Sequence, residues 1–178
     1  MNTYSRKTYL IGAALAIIVI AGGFYAYKTL STPMQSYTNA EYGISFNYPA
    51  TYALNEYSYA DRKTIVLADK EALAQAPQNG EGPTSITFDI IKNPTGLSSS
   101  EWVRQNSASN FQLATGGLAS TTQAGIEAVA YMWDGLYRGE SYVFGNDADI
   151  VMASVTMLET TDQIRKDFER ILRTLVLN

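Results

Sequence analysis

Apolar positions along the chain follow three regimes: one unbroken run near the N-terminus, alternation through the middle, and helical spacing near the C-terminus. The unbroken run is Tyr9 to Tyr27, YLIGAALAIIVIAGGFYAY, nineteen residues without a charge. At ~1.5 Å of helical rise per residue it matches the ~30 Å hydrocarbon core of a bilayer. Arg6 and Lys7 precede it and Lys28 closes it, with Tyr9, Phe24, Tyr25 and Tyr27 at its two ends, where a membrane–water interface favours amphipathic rings. The pattern predicts an uncleaved transmembrane helix over 9–27, a tail over 1–8 and a tether over 28–36. A cleaved secretory signal fits less well, because its apolar core is shorter and Gly22 to Tyr27 offers no small-x-small cleavage site. A buried soluble helix of this length is rarely free of charge. Two basic residues before the span and one just after it orient the N-terminus to the cytoplasm. Residues 37–178 are then expected outside a bacterial cell membrane, as one domain.

Alternation begins after the tether. Tyr37 and Thr38 read as a short strand, Asn39 to Gly43 as a turn, and Ile44-Ser-Phe46-Asn-Tyr48 as a strand stopped by Pro49. Tyr52, Leu54, Tyr57 and Tyr59 continue extended, followed by a strand from Lys63 to Leu67. Asp69 to Pro83 is irregular, broken by Pro77, Gly80, Gly82 and Pro83, with a helical turn at Lys70–Gln75. Ile86, Phe88 and Ile90 alternate with Thr87 and Asp89 as a half-buried strand. Ser98-x-x-Glu101 is a capping box that opens a helix running to about Asn110, docked by Trp102 and Val103.

After Gly116-Gly117 the chain returns to strands. Ile126–Trp133 and Ile150–Leu158 are apolar on both faces, which predicts helices on each side of the sheet. Glu140 to Phe144 is a strand, and Gly145 to Asp149 a hairpin turn. The helical regime is Thr160-x-x-Gln163, read as a second capping box, followed by Ile164, Phe168, Ile171, Leu172 and Leu175 on one stripe. The expected fold is α+β: a transmembrane helix, then a largely antiparallel sheet with helices on both faces, ending on the amphipathic helix.

Tyr42-Gly-Ile-Ser-Phe-Asn-Tyr-Pro49 followed by Tyr52 resembles the opening "G-hydrophobic-S-F-x-x-P-x-x-aromatic" of PsbP-like domains. Ser100-Glu-Trp-Val103 is similar to their first helix, and Phe168-x-x-Ile171-Leu172-x-Thr174-Leu175 to their closing helix. The resemblance covers Tyr37 to Asn178. It implies a central antiparallel sheet between helices, an α/β/α sandwich, and a family of accessory or binding domains with no shared catalytic residues. The best-known members assist the photosynthetic oxygen-evolving complex and are released into the thylakoid lumen. Retention of a membrane anchor departs from that pattern, and photosynthesis is not carried over.

Composition narrows the chemistry. There is no histidine and no cysteine, which excludes Ser-His-Asp and Cys-His nucleophiles, imidazole or thiolate zinc sites and disulfides. Residues 37–178 hold seventeen carboxylates against ten Lys and Arg, a net of −7. Such a surface argues against nucleic acid and against lying flat on anionic lipid. Asp147 and Asp149 beside Asn146 offer oxygen ligands for calcium, yet Asn, Asp and Gly are what a hairpin turn prefers and the full calcium-loop pattern is missing. Asp134 with Glu140 could serve as a glycosidase pair only at a ~5–9.5 Å separation. Ser98-Ser-Ser100 is an N-cap first, and a nucleophile only if Lys92 lies beside it.

No catalytic, cofactor or metal residue is assigned, and no cofactor is expected. The leading expectation is a non-catalytic, membrane-tethered module that binds or steadies a partner protein or complex. Tyr57, Tyr59, Tyr137 and the loop Asp69–Pro83 are the candidate contact residues. The alternatives are a carboxylate-dependent enzyme acting on glycans, or a solute- or calcium-sensing domain.

Overall fold

The computed structural model describes residues 32–77, 80–145 and 148–178. The expected membrane helix over 9–27 lies outside them, as do Arg6, Lys7, Tyr9, Phe24, Tyr25, Tyr27, Lys28 and Asp147. Among the described residues no helix is long and apolar enough to cross a membrane. The elements run β1 (Met34–Asn39), β2 (Ile44–Pro49), β3 (Tyr52–Ser58), β4 (Arg62–Asp69), α1 (Lys70–Gln75) and β5 (Ser85–Lys92). They continue with α2 (Ser99–Gln105), β6 (Ala119–Gln123), β7 (Ile126–Asp134), β8 (Arg138–Gly145), β9 (Asp149–Met157), α3 (Gln163–Leu172) and β10 (Val176–Leu177). β1 takes up residues 34–36 of the stretch read as tether.

Seven strands form one antiparallel sheet in the order β3-β4-β5-β9-β8-β7-β6, and a second sheet has the order β1-β2-β10. The large sheet buries both faces. On one, Phe88, Val151, Ala153, Val155 and Phe144 meet β2 and α3, whose Ile164, Phe168, Ile171 and Leu172 are buried. Phe46 of β2 stacks on Phe88 with ring centroids 4.4 Å apart, which seats the small sheet on the large one. On the other face, Val129, Tyr131, Trp133, Val143, Ile150 and Met152 pack with Trp102 and Val103 of α2. Alternate residues of β7 and β9 thus serve two separate cores, which is why both strands read as apolar throughout.

Local details differ from the sequence expectations for identifiable reasons. α2 stops at Gln105 rather than near Asn110, because the Asn106 side chain accepts the Ala108 amide and starts a 3-10 turn over Ser107–Ser109. Thr160 does not cap α3: Asp162 holds the N-cap position, and its carboxylate accepts the Leu158 and Glu159 amides in the preceding turn. Leu158 lies beyond the end of β9 and is exposed, not a core residue. The chain does not end on α3 either, since β10 pairs with β2 and the Asn178 amide donates to the Gly43 carbonyl at 2.9 Å. β6 carries no apolar alternation and joins β7 through Ala124-Gly125, both at positive φ, the geometry of a two-residue hairpin turn.

Strand direction gives the domain two ends. Pro49, paired with Met34, leads into Tyr52, which faces Asp69; the end of β9 and the start of β8 meet there at Met157 and Arg138. This is the proximal end, where the described chain comes in. At the distal end lie the β3–β4 turn, Lys92, Asp149 and Gly145. The tip of the β1–β2 hairpin is distal as well, with Lys92 Nζ 5.8 Å from the centre of the Tyr42 ring.

Candidate functional site

The six tyrosines between Tyr37 and Tyr59 divide by location. Tyr37, Tyr48 and Tyr52 are buried, Tyr42 is half-buried, and only Tyr57 and Tyr59 stand out, 49% and 56% exposed. Strands favour large rings because one face buries them, and that explains the first four. Tyr57 lies at the end of β3 and Tyr59 opens the distal β3–β4 turn.

Charged neighbours hold this tip in place. The Arg62 guanidinium lies 5.2 Å from the centre of the Tyr59 ring, a cation–π distance. Lys63 Nζ contacts Glu56 Oε2 at 2.6 Å and donates to Ser58 Oγ at 3.2 Å. Arg62 Nε sits 3.9 Å from Asp89 Oδ1 and makes no hydrogen bond, so the bond that steadies Asp89 comes instead from Thr64 Oγ1 at 2.6 Å.

Burial holds the Asp89 carboxyl above the usual carboxylate range, and the Thr64 hydroxyl and Arg62 only partly offset it. A carboxyl with a raised folded pKa binds its proton more tightly folded than unfolded. Its stability contribution is therefore present at low pH and lost as pH rises through the folded value. Asp89→Asn is expected to remove this loss, so that thermal unfolding followed from about pH 4 to about pH 7 shows a gain over the parent that grows with pH.

An open groove of about 740 Å³ also lies toward the distal end, between the start of α2, β6 and the start of β7. Its walls are polar: Ser98, Ser99, Ser100, Glu101, Thr121 and Glu127. Ser98 is committed to the capping box, its Oγ donating to Glu101 Oε2 at 2.6 Å and accepting the Glu101 amide at 3.3 Å. Lys92 does not complete a Ser–Lys pair with it, because Lys92 Nζ pairs with Asp149 Oδ1 at 3.1 Å and sits against Tyr42.

Glu140 is buried and spoken for. One oxygen accepts Arg165 Nε at 2.8 Å, and the other accepts the Tyr142 hydroxyl at 3.0 Å. Burial, reinforced by Glu140, pushes the Tyr142 hydroxyl up to about 12. This network ties β8 to α3, and Arg165 also reaches Glu169 at 3.1 Å. Glu140→Ala is expected to cost ~1.5–3 kcal/mol, the range for hydrogen bonds to charged groups, read as a lowered urea midpoint. Asp134, at the end of β7, is exposed. Among the described residues no three acidic, histidine or cysteine side chains gather as a metal site; Asp149 is paired with Lys92, and Asp147 lies outside those residues.

Tyr137 belongs to the opposite end. Its hydroxyl donates to the Gly82 carbonyl at 3.0 Å, fastening the β7–β8 turn to the loop after α1. The candidate residues thus form two groups: Tyr57 with Tyr59 distally, and Tyr137 with the Asp69–Pro83 loop proximally. Sequence reading overlooked the exposed leucines Leu73, Leu113, Leu136 and Leu158, which are all proximal. One of them left a signal, since Leu136 is an apolar residue in a turn, between Gly135 and Tyr137.

Comparison with solved structures finds the same architecture in cyanobacterial PsbP (CyanoP) from Synechocystis sp. PCC 6803, with a TM-score of 0.56 and 14% identity. The match covers 83% of this chain and 94% of that one. A protein from Bacteroides thetaiotaomicron VPI-5482 matches with a TM-score of 0.55 and 11% identity, over 81% of this chain and 48% of its own length. No protein-family model matches the chain, and comparison with curated proteins gives no match. The fold is PsbP-like: α+β, built on a seven-stranded antiparallel sheet with few helices.

Proposed function

We propose that this protein is a single-span, membrane-tethered module whose PsbP-like domain binds and steadies a partner protein or membrane complex outside the cytoplasm, without catalysing a reaction. In this reading residues 9–27 hold the chain in the bilayer and Arg6 and Lys7 keep the N-terminus in the cytoplasm. Helices on both faces of the sheet, in the α/β/α manner of PsbP-like domains, leave function to the strand ends. The observation that carries the proposal is the pair Tyr57 and Tyr59, exposed beside Arg62 and Lys63 at the end away from Met34. Tyrosine and arginine are the residue types enriched at interface centres, and Tyr59 lies against Arg62 here. A glycan-acting enzyme draws less support, because Glu140, the buried acid of its pair, is held by Arg165 and Tyr142.

The test is capture of the full-length protein from native membranes in mild detergent, compared with Tyr57→Ala/Tyr59→Ala. A partner that co-purifies with the parent and is lost from the double variant supports the proposal. Equal recovery with both, or no partner with either, overturns it.

A further inference from the structure

Among the described residues, four leucines are exposed: Leu73 by 39%, Leu113 by 44%, Leu136 by 72% and Leu158 by 65%. Topology gathers all four at one end of the large sheet. Leu73 follows β4 on α1, Leu158 follows β9, and Leu136 sits in the β7–β8 turn. Leu113 lies beside Gly135, where an added Cβ would be 3.6 Å from its Cδ1. They are spread along the ends of the adjacent strands β4, β5, β9, β8 and β7, a row about 20 Å wide at ~4.8 Å between strands. The distal end shows the opposite character, with the exposed tyrosines at its tip.

The same proximal end is where the chain comes in. Met34 pairs with Pro49, three residues before Tyr52 at the start of β3. Thirty-one residues precede the described chain, and nineteen of them are the apolar run Tyr9–Tyr27. Only Lys28 to Pro33 separate that run from β1, six residues that reach at most ~20 Å when extended.

We infer that the proximal leucines, led by Leu136 and Leu158, dip into the interface of the bilayer that holds the N-terminal helix, so that the domain stands on the membrane with Tyr57 and Tyr59 facing away. This rests on the proposed anchor. A short tether keeps the row near the lipid, and side chains this exposed enter the interface without unpacking the core. Asp69, Glu71, Asp134 and Glu159 stand around them against Lys70 and Arg138, the latter paired with Glu159, and this acidic excess suits zwitterionic rather than anionic lipid. The β-strands then act as a spacer: nine residues of β9 at ~3.3 Å each lift the aromatic tip by about 30 Å.

The chain has no cysteine, so single cysteines can report depth. Leu136→Cys, Leu158→Cys and, as the distal reference, Tyr59→Cys are each placed in the full-length protein and labelled with an environment-sensitive dye. The proteins are reconstituted into phosphatidylcholine vesicles carrying acyl-chain quenchers, and thermal unfolding checks that each variant is folded. The expected result is co-flotation of all three, quenching at 136 and 158, and none at 59, with weaker quenching when phosphatidylglycerol replaces phosphatidylcholine. Failure to float removes the anchor and the inference together. Flotation without quenching at 136 and 158, or with equal quenching at all three, overturns the inference while leaving the anchor standing. Shielding at 136 and 158 that appears in native membranes but not in lipid vesicles overturns it in favour of a protein contact.

Discussion

Phe88→Ala is expected to lower the stability of the domain by about 3–5 kcal/mol, the usual cost of emptying a buried aromatic site. Phe88 is fully buried in the middle of β5, and its ring stacks on Phe46. Phe46 in turn stacks on Tyr37 at 5.1 Å. These three rings run from β5 through β2 to β1, so the substitution removes the seat of the small sheet as well as a core side chain. A domain with the ordinary 5–15 kcal/mol of stability loses a large share of it. The measurement is chemical unfolding, read once by circular dichroism and once by proteolysis near Met34. Loss below about 1.5 kcal/mol, with no new proteolytic sensitivity, would mean that the stack does not join the sheets.

Gly139→Val is the second large effect, and its cause is overfilling rather than a void. Gly139 lies directly across from Trp133 in the β7–β8 pair. The indole folds over the glycine, and an added Cβ would overlap its six-membered ring. Trp133 has little freedom to move aside. Its Nε1 donates to Ser141 Oγ at 3.0 Å, and Ser141 is bonded to Ser154 at 2.8 Å, all of it buried. Overpacking of this kind costs ~1–3 kcal/mol, and the displaced indole N–H adds ~1–3 kcal/mol if left unpaired. Gly135→Ala is the matched control, because a Cβ there meets its neighbours at ordinary contact distance; it is expected to be nearly neutral. Tryptophan emission reports both outcomes, as Trp102 and Trp133 are the only two indoles. Removing the ring should remove the conflict, so Gly139→Val/Trp133→Ala should be less destabilised than the two single effects summed.

Both sites bear on the proposed function through geometry. The seven-stranded sheet separates an aromatic, cation-flanked tip from an end bearing the exposed leucines and the incoming chain. Anything that loosens the sheet loosens that separation. The Glu140–Arg165 pair plays a related part, since it fixes α3 across β8. Asp89, buried near the base of the distal tip, couples the strength of that region to pH.

How much of this was legible beforehand depended on the kind of signal. Ile86, Phe88 and Ile90 announced β5 because their face meets one core, while the opposite face carries the polar Thr87 and Asp89 before Ile91 joins the other core. The stripe Ile164, Phe168, Ile171 and Leu172 announced α3 for the same reason at helical period. β7 and β9, apolar on both faces, foretold cover on both sides of the sheet, and the two cores provide it. β6 escaped because Ala119–Gln123 buries nothing on its own; backbone pairing with β7 makes it a strand. β10 is two residues long, too short for any period to register. The limits of α2 and α3 moved because Asn106 and Asp162 direct their side chains to backbone amides that local spacing does not reveal.

The residues alone determined an α+β domain after a long apolar segment, an acidic surface, and a chemistry without imidazole or thiol. Periodicity reports which side chains leave water, and composition reports which reactions lack their groups, so these needed no coordinates. The tertiary structure decided which tyrosines stay exposed, that Glu140 is consumed in an ion pair, and that Leu136, Leu158 and Met34 share one end. Those are matters of strand order and register, set by contacts between segments far apart in the chain. A local pattern is the same whichever neighbour it finally meets.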